Sequence, residues 1–156
     1  MSKFLVTGGL GLIGHNVVRR LMDRGEETVI MDIQTDYGII PHSELQYLMG
    51  ERLKKIDNHP VYNTDISAGG PVDYVMEREK PNVIIHCASF PRQKVVNANP
   101  AWGADVMMRG LINLLQTFSH EILQFAVRDD SVVCLYVYDH SFFSAIHESA
   151  YNIVPN

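Results

Sequence analysis

The stretch KFLVTGGLGLIGHN, residues 3–16, limits the folds open to this chain more than any other. A short apolar run passes directly into Gly8, Gly9, Gly11 and Gly14. It continues into a segment whose Leu12, Ile13, Val17, Leu21 and Met22 recur near helical spacing. Strand, glycine turn and helix in that order make a cradle for a phosphate. Gly8 lets the chain leave the strand in a tight turn, Gly11 brings bare backbone up to a pyrophosphate, and Gly14 lets the helix pack close to the sheet. The helix start then aims unpaired N–H groups and the positive end of its dipole at the anion.

The rest of the chain repeats the alternation. KFLVT, TVIMDI, PVYNTDI, NVIIHCAS and SVVCLYVY read as strands. Between them, helices are expected in LIGHNVVRRLMDRG, in HSELQYLMGERLKKI with Ser43 as a candidate cap, in PVDYVMEREK opened by Pro71, and in PAWGADVMMRGLINLLQTFSH. Apolar strands joined through helices make βαβ units. Right-handed crossovers then predict an α/β fold: a Rossmann-like doubly wound parallel sheet of about five strands, order 3-2-1-4-5, with helices on both faces. A chain of 156 residues suits one domain, 1–156. The tail from 139 to 156 has no clear period, and its one candidate element is a helix around FFSAIHESAY.

Composition narrows the partners. A formal net charge of -5 argues against nucleic acid or an anionic membrane as the main partner. No apolar run reaches the roughly 18 residues of a membrane span, and the start lacks a signal-peptide pattern, so a cytoplasmic location is expected. Cys87 and Cys134 sit in apolar runs without metal-ligand spacing. They read as buried thiols, and no metal is expected.

Asp32 ends the second strand, where the glycine motif calls for an acidic group about 20 residues on to accept hydrogen bonds from a ribose. Its charge would repel a 2′-phosphate, and DIQTDYGII supplies no Arg or Lys to neutralise one. The expected cofactor is therefore NAD rather than NADP, with Gly8, Gly11, Leu12, Ile13, Gly14, Asp32 and Ile33 as its contacts on this side.

With those residues in place the chain resembles the extended short-chain dehydrogenase/reductase superfamily, and within it the NAD-dependent epimerase/dehydratase family that acts on nucleotide sugars. TGGLGLIG, 7–14, matches the family motif TGGxGxIG throughout. The resemblance implies that Asp65-Ile66 lies against the adenine and that HCAS, 86–89, lines the nicotinamide side through Cys87, Ala88 and Ser89. NP at 99–100 and GLINLL at 110–115 are similar to the family's NP…GTxNLL helix, with Leu111 in place of Thr and Met107 in place of Asn. The similarity holds to about residue 120, and 121–156 diverges. The family's catalytic hydroxyl segment corresponds to YVYDHSFF, where Ser141 is the nearest candidate. Its Tyr-x-x-x-Lys pair, a phenol and an ammonium on one helical face, is absent: no tyrosine here has a lysine four residues on. The chain is thus expected to be the NAD-binding part of a truncated or frame-shifted epimerase/dehydratase-like protein, inactive alone, with a nucleotide sugar as partner only in a full-length form. The alternative is a non-catalytic nucleotide-binding or sensing module.

Remaining constellations read as structural. His86 is expected to be a hydrogen-bonded core histidine, Pro91-Arg92 a solvated loop, and Met107-Met108 core. Asp139, His140 and Ser141 are sequence neighbours without the convergence or nucleophile elbow of a hydrolase triad. In the helix at 101–118, Asp105, Arg109, Asn113 and Gln116 fall in one polar stripe. Apolar residues cover an arc of roughly 240°, where covering a sheet takes a little over about 100°. The surplus predicts a homodimer through this helix, with the tail from residue 139 as the competing cover.

Overall fold

The computed structural model describes residues 2–35, 38, 40–56, 58–90, 93–117, 123–128 and 132–137. Its elements alternate as expected: β1 (Lys3–Thr7), α1 (Leu12–Asp23), β2 (Glu27–Asp32), α2 (His42–Leu53), β3 (Val61–Asn63), α3 (Gly69–Glu79) and β4 (Val83–His86). Then come α4 (Gln93–Ala98), α5 (Pro100–Ala104), a single π turn (Asp105–Arg109) and α6 (Gly110–Thr117). Strands β1 to β4 form one parallel sheet in the order β3-β2-β1-β4. The expected fifth strand forms as β6 (Val132–Val137), but it pairs antiparallel with β5 (Leu123–Arg128) in a separate two-stranded ladder. The expected tail helix and Ser141 lie outside the described residues.

Strand pleating divides the core in two. Successive side chains point to opposite faces, so Leu5, Val29, Met31 and Ile84 meet Val72, Val75 and Met76 of α3, with Val106 and Leu114, on one side. Phe4, Val6, Ile30, Val83 and Ile85 meet Val18 and Leu21 of α1 on the other. A strand buried on both faces needs a continuous apolar run, which is why β1 and β4 carry no polar alternation. Helix α2 buries no residue fully and leans on the second core only through Met49 and Leu53.

Local punctuation departs from expectation at three places. Helix α2 starts after Pro41 without a side-chain cap, so Ser43 lies inside it. Helix α3 begins at Gly69, which puts Pro71 third in the first turn, where its missing N–H still costs no helical bond. The long C-terminal helical pattern is interrupted by the π turn. That turn accommodates about one extra residue, so positions beyond it no longer share a phase with those before. Asn113, expected in the outward stripe with Asp105 and Arg109, turns inward as a result, and its Nδ2 donates to the Ile66 carbonyl at 2.8 Å.

At the N-terminal edge of the sheet, Lys3 Nζ joins Glu27 at 2.7 Å and Glu79 at 3.3 Å, and the Tyr62 hydroxyl donates to Glu79. This ties the end of α3 to β1, β2 and β3, and leaves the opposite, carboxyl edge for ligand chemistry. Leu5 has no exposed surface, whereas Tyr47 on α2 is 67% exposed. Leu5→Ala is therefore expected to cost roughly 3 kcal/mol and Tyr47→Ala less than about 0.5 kcal/mol, read as urea midpoints at unchanged slope.

Candidate functional site

Three chain segments converge outside the carboxyl ends of the strands, where an open α/β sheet places its ligand crevice. β1 delivers Thr7 and Gly8 between Met31 of β2 and His86 of β4, the register partners of Thr7. The Gly8 N–H donates to the Met31 carbonyl at 2.7 Å, and Gly8 turns the chain at φ 65°, a region L side chains rarely adopt. A side chain at Gly8 would also place its Cβ 2.7 Å from the Ala88 nitrogen. Gly14 lies directly beneath: a Cβ there would come within 2.1 Å of the Gly8 carbonyl oxygen. Both glycines are required by backbone meeting backbone.

Helix α1 begins at this turn with Gly11 as its N-cap, no side-chain cap and no acidic residue in its first turn. The N–H groups of Leu12, Ile13 and Gly14 therefore lack intrahelical acceptors and face no competing carboxylate.

Asp32 is buried and held from two sides. Its Oδ2 accepts the Leu10 N–H of the glycine turn at 2.9 Å, and its Oδ1 accepts the Gln34 N–H at 2.7 Å. A carboxylate offers about four lone-pair sites, so two backbone donors fix its orientation and leave capacity for hydroxyl donors. Arg52, from the last turn of α2, donates through Nη1 to the Leu10 carbonyl. This cation comes from α2 across the turn and not from the sequence beside Asp32.

On the other side of β1, the Thr7 hydroxyl lies 2.6 Å from His86 Nδ1 and accepts the Ala88 N–H at 3.3 Å. The Cys87 N–H donates to the Thr7 carbonyl at 3.0 Å. These bonds hold the HCAS segment against the glycine turn. Burial pushes the His86 imidazole down to about 4, so the ring is neutral where it meets the Thr7 hydroxyl. His15 on α1 is also shifted down, first by burial and then by Arg52, Arg19 and Lys55, and its Nδ1 is buried without a hydrogen-bond partner.

The resulting cleft is lined by Gly8, Gly11, Asp32, Ile33, Asp65, Ile66, Cys87, Ala88 and Ser89, which were expected, and by Met31, Thr35, Met49, Thr64 and Val106, which were not. Thr64 and Thr35 follow strand ends, and Val106 arrives from the π turn, so neither group belongs to a local motif. Leu12, Ile13 and Gly14 do not line the cleft. Gly14 is covered by Gly8, and Leu12 and Ile13 are 76% and 49% exposed on the first turn of α1. Among the described residues no group of three or more His, Cys, Asp or Glu side chains is placed to hold a metal, and no helix is long and apolar enough to cross a membrane.

A parallel 3-2-1-4 sheet with a glycine turn, an acid closing the second strand and an uncapped helix start defines a Rossmann-type nucleotide-binding domain. The family is equally definite: residues 5–128 match the model described as GDP-mannose 4,6 dehydratase, and the chain belongs to that family. It is 27% identical over 114 residues to a probable UDP-glucuronate 4-epimerase of Rhizobium meliloti (strain 1021), covering 73% of this chain and 33% of the relative. It is 29% identical over 117 residues to the UDP-glucuronate 4-epimerase of Thermodesulfobacterium geofontis (strain OPF15), covering 74% and 35%. Among solved structures it superposes on the Thermus thermophilus UDP-glucose 4-epimerase complex with NAD, with TM-score 0.59, 24% identity and coverage of 74% and 33%. A UDP-glucose-4-epimerase from Stenotrophomonas maltophila, with bound NAD and formylated UDP-arabinopyranose, gives TM-score 0.58, 25% identity and coverage of 75% and 33%. The chain thus spans about a third of the length of the relatives it matches.

The neutral His86 carries a pH signature. The unfolded chain takes up this proton near 6.5 and the folded chain only near 4, so stability is full above 6.5 and declines as pH falls through that window. Between about pH 7.5 and about pH 5 the urea midpoint is expected to drop by the equivalent of roughly 2 kcal/mol from His86. A His86→Gln variant, which cannot titrate, is expected to lose that share of the slope.

Proposed function

We propose that the chain forms the NAD-binding part of a nucleotide-sugar epimerase or dehydratase. The observation that carries this reading is the cleft itself. Gly8 and Gly11 present bare backbone beside the uncapped start of α1, and Asp32 stands fixed at the end of β2. That set fits a dinucleotide: N–H groups of α1 take the pyrophosphate, the Asp32 carboxylate takes ribose hydroxyls, Asp65-Ile66 meets the base, and Cys87, Ala88 and Ser89 meet the nicotinamide end. NAD, when bound, supplies a hydride acceptor for a sugar carbon. The chain's own residues orient it, and Ser141 is the candidate for the hydroxyl that would meet the substrate. The missing Tyr-x-x-x-Lys favours catalysis only together with residues beyond this chain. A nucleotide-binding or sensing module without chemistry is the second reading, favoured by that same absence.

Fixation of Asp32 by Leu10 and Gln34 supports selectivity for NAD. The carboxylate cannot swing away from a 2′-phosphate without abandoning both backbone donors, and Arg52 is engaged by the Leu10 carbonyl. Trp102, the single tryptophan, packs on Phe90 with ring centroids 5.3 Å apart, and Phe90 adjoins the cleft residue Ser89. Titration with NADH is expected to quench Trp102 emission, with NADPH weaker by about tenfold or more. Tighter NADPH would refute the role of Asp32, and no response to either, confirmed by calorimetry, would refute the site.

We further propose that the chain pairs as a homodimer through the stretch 101–118, which α5, the π turn and α6 occupy as far as Thr117. Met108, expected in the core, is instead 66% exposed there and Ile112 49%, which supports an apolar face in want of a cover. Light scattering is expected to show a dimer that Met108→Glu dissociates, and a wild-type monomer at high concentration would rule the pairing out.

A further inference from the structure

We infer that Asn113 is a positioning residue that sets recognition of the base, acting through the Ile66 peptide and not by touching the ligand. The inference rests on the dinucleotide reading above and adds to it the residue that holds one wall of the cleft.

The segment Asp65–Ile66 follows β3 and lines the cleft. Its own turn is closed by Asp65, whose Oδ1 accepts both the backbone N–H and the hydroxyl of Ser67 at 2.8 Å. That leaves Oδ2 as the carboxylate oxygen able to take a donor from a ligand, and the donor a purine base offers is an exocyclic amine. A short turn of this kind pivots readily unless something grips it from behind, and α6 does so at two points. Asn113 Nδ2 donates to the Ile66 carbonyl at 2.8 Å, across 47 residues of sequence. Gly110 lies so close over the Ile66 side chain that a Cβ there would come within 2.5 Å of Ile66 Cδ1. Ile66 is only 4% exposed, so it has little room to yield. The π turn immediately before α6 brings this grip into register while seating Val106 in the same cleft. One helix therefore fixes the direction of the Ile66 peptide plane, and with it the Asp65 carboxylate beside it.

The test uses the whole chain and two probes, NADH and its deaminated hypoxanthine analogue, which lacks the exocyclic amine. The wild-type protein is expected to prefer NADH. Asn113→Ala is expected to weaken NADH by roughly fivefold, the scale of one hydrogen bond, and to shrink its preference over the analogue toward unity. Asn113→Gln, which keeps an amide donor, should retain more of the preference than Asn113→Ala. Gly110→Ala pushes on Ile66 without altering Asn113. It should erode the same preference and decides the matter if Asn113→Ala fails to fold. Folded variants that keep the wild-type preference would overturn the inference, as would an equal loss on both probes together with a lowered Tm, which marks a merely structural role. Wild-type protein that binds neither probe overturns the dinucleotide reading itself, whereas wild-type binding with indifferent variants overturns the role of Asn113 alone.

Discussion

The carboxylate of Asp32 holds the arrangement together. It accepts the Leu10 N–H, so the end of β2 and the glycine turn after β1 are one rigid piece before any ligand arrives. A turn rich in glycine loses more conformational entropy on ordering than any other kind, and a charge-assisted bond to its backbone offsets part of that cost. Burial raises the stakes. A buried carboxylate is tolerated because backbone donors satisfy it, and the turn keeps its shape because the carboxylate is there. The carboxylate that closes β2 is thus also the group that shapes the glycine turn.

Thr7 does the matching work on the other side of β1. Its hydroxyl serves His86 and Ala88 together, so β1 is clamped to β4 just as it is clamped to β2. Burial disfavours protonation of His86 and keeps the ring in this clamp neutral. The glycine turn, lying between the two clamps, inherits its geometry from both neighbours, which is why its own residues need no side chains.

Legibility followed the range of the interactions. The β1–α1–β2 unit was readable because its rules are local: glycine spacing, an apolar run, an acid at a strand end. Asp65, Ile66 and the HCAS segment were readable by resemblance to a family motif. The π turn was not, since one additional residue in a long apolar helix barely disturbs the periodicity of its neighbours. The inward turn of Asn113 was lost with it, because a helical wheel carries one phase from end to end. Arg52 and Val106 escaped for a different reason. Each reaches the site across a fold contact that no nearby residue announces.

The helices are anchored unequally, and the inequality reaches the glycine turn. Helices α1 and α3 bury several residues each against the two faces of the sheet, whereas α2 buries none. An element with so little buried apolar surface belongs to the low-stability end of local opening. Yet Arg52, the cation that α2 sends across to the glycine turn, rides on that helix and is fastened there through the Leu10 carbonyl. Asp32, by contrast, is held by backbone N–H groups of the glycine turn and of Gln34. The fixed charge beside the glycine turn is therefore the Asp32 carboxylate, while the position of Arg52 depends on how α2 is seated. For the dinucleotide proposed above, rejection of a 2′-phosphate would then rest on the strand end and glycine turn and not on the least anchored helix.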